Sequence, residues 1–194
     1  DERIVVDGLD TFPVSGVVVA PFDTPLVPVF VPLSGSGGWV AAEPRGHGNF
    51  DAGGMRRGRY LVALVPADDR DRDTPSALLP AIDIDGFSGR GLELHWPTSS
   101  IRGRVVLASD TSTEALRVIA YPTVPDAPSP ARTLVTSAEL ALESGAALDP
   151  DGRFRIPHLA DGTTVVELRR DGVVLARRTL ELAGVLDVGD WTIE

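Results

Sequence analysis

The chain has 194 residues, 43% of them hydrophobic, and a formal net charge of −10. At about 100 to 150 residues per domain that length makes one large domain or two small ones, with enough apolar material for a core. An acidic mean field repels polyanions, and the pairs Arg56/Arg57, Arg169/Arg170 and Arg177/Arg178 are scattered rather than gathered into a patch, so no nucleic-acid interface is expected. The chain contains no Cys, no Lys and no Gln, and Asn49 is its only asparagine. A thiolate nucleophile, a disulfide framework, a lysine Schiff base and a Cys-built zinc site are therefore all excluded. The Arg-only basic set fits a GC-rich coding sequence and says nothing about function.

Prolines and glycines punctuate the chain about every ten residues, and between them apolar residues alternate over short runs, which is the spacing of an all-β sandwich. In chain order the expected strands are 15–20, 27–33, 58–65, 91–96, 101–108, 115–121, 152–156, 163–170, 173–182 and 189–194. Pro28 and Pro32 flank Val29, Phe30 and Val31; because proline cannot donate to a ladder, this run is expected at a sheet edge. Residues 66–77 and 122–136 read as long surface loops, and 136–146 is the only stretch with a helical leaning. No apolar run approaches the ~20 residues that span a bilayer as a helix. The first residue is Asp rather than Met, so an upstream segment is expected to precede it, a signal peptide or anchor being one alternative for it.

The stretch "GHGNFDAGGMRRGRYLVAL" (46–64) repeats further on as "DPDGRFRIPHLADGTTVVEL" (149–168). Gly48 aligns with Gly152, Phe50 with Phe154, Ala52 with Ile156, Met55 with Leu159, Gly58 with Gly162, Tyr60 with Thr164 and Val62 with Val166, at a constant offset of 104. Upstream, "VSGVVV" (14–19) answers "IRGRVV" (101–106) at an offset of 87, so a 17-residue insertion separates first strand from turn in the second copy. The expected organisation is a tandem repeat, 1–97 and 98–194, joined by "PTSS" (97–100). Within each copy Asp-Gly or its equivalent makes a tight turn with glycine at positive φ, Phe154 and Ile156 turn inward, Arg153 and Arg155 turn outward, and Leu159 plugs the core.

The pattern DG-x-F-x-I-x-x-L-x-x-G-x-T/Y-x-V after an I-x-G-x-V strand resembles the carboxypeptidase regulatory-like domain, a transthyretin-like β-sandwich. The resemblance is good over about 100–194 and weaker over 12–96, where His47 stands in place of Asp and Ala52 at the apolar position; Thr164 stands where Tyr60 keeps the usual Tyr. It implies two tandem Ig-like (transthyretin-like) Greek-key β-sandwich domains of the kind appended to secreted enzymes, adhesins or envelope proteins. The family carries no catalytic residues to transfer.

Reaction chemistry is weighed residue by residue. His47, His95 and His158 stand apart, without an H-x-H, H-E-x-x-H or H-x-x-H spacing, so no metal centre is expected. The two-Tyr, two-His iron set of the intradiol dioxygenases, which share a related sandwich, is not available, because Tyr60 belongs to the core and Tyr121 is the only other tyrosine. G-x-S-x-G is absent, "SGSGG" (34–38) lacks the Lys of a phosphate loop, and Asp68, Asp69, Asp71 and Asp73 are interleaved with Arg70 and Arg72. Asp83-x-Asp85-Gly86 opens like a calcium loop but continues with Phe87 and has no Glu at the twelfth place. The Lys-to-Asn isopeptide bond of pilin-type modules is excluded with lysine itself.

Trp96 and Trp191 are expected in the core or between modules, and Trp39 on the surface. No catalytic, cofactor or metal site is expected. The reading is a non-catalytic structural or protein-binding module pair of an exported or cell-envelope bacterial protein, outside the cell or in the periplasm, whose partners are another protein or domains of its own host chain. The alternative is a carbohydrate-binding module using Trp39 and nearby acidic loop residues.

Overall fold

The computed structural model describes residues 11–33, 38–68, 76–85, 89–107, 115–123 and 145–193. These form strands β1 (Thr11–Val19), β2 (Leu26–Pro32), β3 (Val40–Ala41), β4 (Glu43–Gly46), β5 (Asn49–Arg56), β6 (Gly58–Pro66), β7 (Ala77–Ile84) and β8 (Arg90–His95). They continue with β9 (Ser99–Leu107), β10 (Leu116–Pro122), β11 (Gly145–Ala147), β12 (Arg153–Leu159), β13 (Gly162–Arg170), β14 (Val173–Leu182) and β15 (Val185–Ile193). No helix occurs among the described residues; most of 136–146 and of the two long loops lies outside them, and Gly145 and Ala146 belong to β11.

The chain is all-β and makes two Ig-like sandwiches in tandem, with connections that cross between sheets in Greek-key fashion. The first pairs a β4-β5-β1-β8 sheet with a β3-β2-β6-β7 sheet; the second pairs β12-β9-β15 with β11-β10-β13-β14. Apart from β4, which has no counterpart among the described residues, the two wirings correspond, including the parallel pairing of the first strand with the last, β1 with β8 and β9 with β15. Each sandwich has its own core: Val14, Phe30, Phe50, Met55, Val62 and Leu64 in one, Ile101, Leu116, Val118, Phe154, Ile156 and Leu168 in the other.

The expected motif works as anticipated. Gly16 pairs with Phe50 on β5, and Gly103 pairs with Phe154 on β12. The neighbouring amides of Val18 and Val105 donate to Gly48 and Gly152 carbonyls, each at 2.8 Å. Gly48 and Gly152 take φ of 76° and 77°, and a Cβ on either would lie 2.6 or 2.4 Å from a backbone oxygen of that strand. Glycine is required there on both counts. Arg153 and Arg155 face solvent, Ile156 and Leu159 the core. The turn itself differs between copies. His47-Gly48 both sit at positive φ in a two-residue hairpin, whereas Pro150 and Asp151 enter a turn closed by Gly152 N–H donating to Asp149 O at 2.9 Å, with the Asp149 carboxylate accepting from the amides of Asp151 and Arg153.

Two further expectations need correction. The run around Pro28 and Pro32 is not at an edge, since β2 has β6 on one side and β3 on the other. The Pro28 carbonyl accepts from Ala42 on the β3 side, so both proline nitrogens turn to that flank, where the β2–β3 ladder has only two register pairs, and the full β6 ladder is unaffected. Strands β3, β4, β5, β7 and β11 were not anticipated as strands; 40–46 is one run that crosses from one sheet to the other at the buried Ala42. The insertion of the second copy lies between first strand and turn as expected, and because Pro32 and Pro122 occupy the same ladder position, an offset of 90, most of it falls after the second strand.

Because both phenylalanines are nearly inaccessible at the same place in their ladders, Phe50→Ala and Phe154→Ala are each expected to cost about 3 to 5 kcal/mol, read as a lowered urea midpoint. A loss well under that in either variant removes the equivalence of the two cores.

Candidate functional site

The two sandwiches meet side by side. The outward face of the β2-β6-β7 sheet carries Val31, Leu33, Leu61, Ala63 and Leu78, all buried, and Tyr121 of the second sandwich packs against them. Strand β7 lies against β10 and β12. A sheet that is apolar on its outer face as well as its inner one has to be covered, which explains why β7 does not alternate. Tyr121 also donates its hydroxyl to Glu167 Oε1 at 2.8 Å, tying the apolar contact to a buried polar group of the second sandwich. Glu167 is held in turn by Arg169, 2.8 and 2.5 Å from its Oε2, with Arg177 at 3.7 Å on the other oxygen. Paired in this way the two buried charges are satisfied.

A hydrogen bond spans the junction. Trp96, 5% exposed, follows β8 in the first sandwich, where its amide donates to Val19 O and its ring meets Phe22 edge-on at 5.0 Å. Its indole Nε1–H donates to Nδ1 of His158 in the second sandwich at 3.1 Å, with the rings 5.1 Å apart. His158 has a φ of 59°, and Gly54, its counterpart, has 71°. Both sit at register shifts where β5 and β12 bulge. The second copy thus keeps the strained backbone position and hangs an imidazole on it, aimed at the join.

Burial lowers the His158 pKa below 6.5, opposed by its bond to the Pro97 backbone and aided by the Arg155 charge. The unfolded chain therefore takes up this proton more readily than the folded one. The contribution to stability is complete above 6.5 and is lost as pH falls through the lowered value. Next to the join, Ser99, itself buried, hydrogen-bonds Asp161 Oδ1 and accepts from Gly184 N–H at 2.9 Å. These contacts hold the Asp161 carboxyl below its ordinary range, the Ser99 hydroxyl first and the Gly184 amide second.

Of the residues singled out from the sequence, Trp39 is 63% exposed immediately before β3, and no ring or cation contact engages it among the described residues. Trp96 and Trp191 are buried, but they are not counterparts: Leu94 pairs with Val18 where Trp191 pairs with Val105. Arg178 lies over the Trp191 ring at 4.9 Å. His47 forms a turn and exposed His95 meets Glu93 at 3.0 Å. Asp83 belongs to β7, while Gly86 lies outside the described residues. No group of three or more His, Cys, Asp or Glu side chains is placed to hold a metal among the described residues, and no described helix is long and apolar enough to cross a membrane. The Trp96–His158 pair escaped the sequence reading because 62 residues separate its members; the one trace of it was a His aligned with Gly54.

No family model and no curated protein matches the chain. Solved structures similar to it include the minor pilin of Streptococcus agalactiae, at 11% identity over 94% of this chain and 96% of that one with a TM-score of 0.37. The streptococcal ancillary pilin matches at 14% identity over 97% and 63% of the two chains with a TM-score of 0.30. The Bacillus anthracis TIE protein matches at 12% identity over 95% and 33%, also with a TM-score of 0.30. Similarity at this level does not separate one β-sandwich family from another.

Trp96→Phe keeps the ring against Phe22 and deletes the indole donor. It is expected to lower stability by about 0.5 to 1.5 kcal/mol at neutral pH, measured by urea unfolding, as a hydrogen bond is lost and Nδ1 is left without its donor.

Proposed function

We propose that the chain is a non-catalytic pair of carboxypeptidase regulatory-like sandwiches, divided at 97/98, that holds neighbouring parts of an exported or cell-envelope protein at a set spacing and presents a surface to a protein partner. The observation that carries this reading is the junction: a face of the first sandwich that could have been solvated is apolar and is covered by the second, with Tyr121 packed against it and Trp96 hydrogen-bonded across to His158. Spacers need such a fixed joint, because a linker alone leaves two domains free to reorient. The repeated glycine-turn and phenylalanine motif supports the family assignment, and the family's usual setting supports the location. The exposed indole of Trp39 favours one alternative, a carbohydrate ring stacked on it.

In the native protein, 15N relaxation is expected to give one correlation time for both sandwiches. Leu78→Arg, which places in β7 the residue type that β14 has at Arg177, is expected to give two shorter ones with both cores still folded. Independent tumbling of the unsubstituted protein would remove the spacer reading. Trp39→Ala is expected to leave protein association and joint tumbling unchanged; a glycan-array signal abolished by it would favour the carbohydrate alternative.

A further inference from the structure

We propose that the junction is an acid-released clasp: protonation of His158 withdraws the acceptor from Trp96 and frees the two sandwiches to reorient. This rests on the spacer reading, since release has meaning only where the sandwiches are otherwise held. Nδ1 can accept the indole N–H only while it carries a lone pair; in the imidazolium both ring nitrogens are donors, and N–H would confront N–H. The indole is held in place. Trp96 is buried against Phe22 with its amide bound to Val19, and His158 leaves the chain from a bulge at positive φ. Water reaches the indole only if the junction opens.

The charged and titratable groups on the elements meeting His158 do not offset that repulsion. Arg155, on the same strand, acts on the imidazole and adds positive charge. Asp161, just beyond β12, is engaged by Ser99 and the Gly184 amide. On β8, Glu93 pairs with His95; on β10, Tyr121 serves Glu167, which is already bound by Arg169. Asp83 on β7 has an interaction of its own. The imidazole also bonds the Pro97 backbone, which favours the proton, while burial and Arg155 disfavour it.

The test follows indole N–H exchange of Trp96 relative to Trp191 by NMR, from about pH 8 to about pH 5, with His158 titrated in the same samples. The Trp191 indole belongs to the second core and serves as the internal reference. The Trp96/Trp191 exchange ratio is expected to rise about tenfold as His158 protonates, the loss of roughly one hydrogen bond. His158→Asn, which tolerates positive φ and does not titrate, is expected to abolish the step. A flat ratio across the His158 transition, or a step that persists in the Asn variant, overturns the clasp. Correlation times at both pH values separate the two readings. Joint tumbling at high and low pH defeats the clasp and spares the spacer, whereas independent tumbling at high pH defeats the spacer itself.

Discussion

Each sandwich is organised by a phenylalanine laid opposite a glycine on the neighbouring strand. At Gly103 a Cβ would fall 3.1 Å from the Phe154 ring and 2.5 Å from Val188, and at Gly16 it would fall 2.1 Å from the Leu92 carbonyl. The first strand can therefore pass between its antiparallel and parallel neighbours only without a side chain at that point. The ring then fills the space above it. From this follow the parallel pairing of the last strand, the position of the glycine turn that delivers the phenylalanine, and the inward set of the following strand. Close packing leaves little freedom to meet those demands otherwise.

Around that shared point the copies have diverged in compensating ways. In the first core Phe30 packs against Phe50 on one side and Tyr60 on the other, Tyr60 donating its hydroxyl to Arg56 O at 2.8 Å, while Ala120 and Thr164 occupy the ladder positions of Phe30 and Tyr60 in the second. Two rings are lost there, and one is regained on the opposite sheet, where Trp191 replaces Leu94. The cation above Trp191 comes from Arg178, at the ladder position of Leu79. An apolar seam closing one sandwich thus becomes a cation–π contact closing the other, and the long arginine stem preserves the volume.

The sequence made the repeat legible because its signal is local: turn glycine, inward aromatic and alternation all lie within about twenty residues of chain. Strands that violate alternation were not legible. β7 is apolar on both faces because a second sandwich covers it, and the 40–46 run crosses between sheets, so neither displays a period of two. The prolines of β2 pointed to an edge, and the nearest truth is a flank with a very short partner strand. Trp39 emerged exposed and Trp191 buried as their loop and strand settings implied. The partnership of Trp96 with His158 depends on where two domains dock, which no periodicity encodes.

Docking is also directional, and the outer faces of the corresponding sheets say why. Where the first sandwich presents Val31, Leu61, Ala63 and Leu78, the second has Tyr121, Val165, Glu167 and Arg177 at the matching ladder positions. The apolar set can be buried against any complementary surface. The Glu167–Arg169 pair cannot be stripped of either member without leaving a charge buried alone, so this face is committed to its own network. Divergence between the copies on these outer faces therefore decides which face accepts a neighbour, while the glycine and phenylalanine that build each sandwich are left unchanged. A repeat that kept the apolar face in both copies would offer it at the free β14 edge, beside the exposed Val173, Val174 and Leu175, and would invite open-ended association. Arg177, at the outer-face position of Leu78, places a charge there instead.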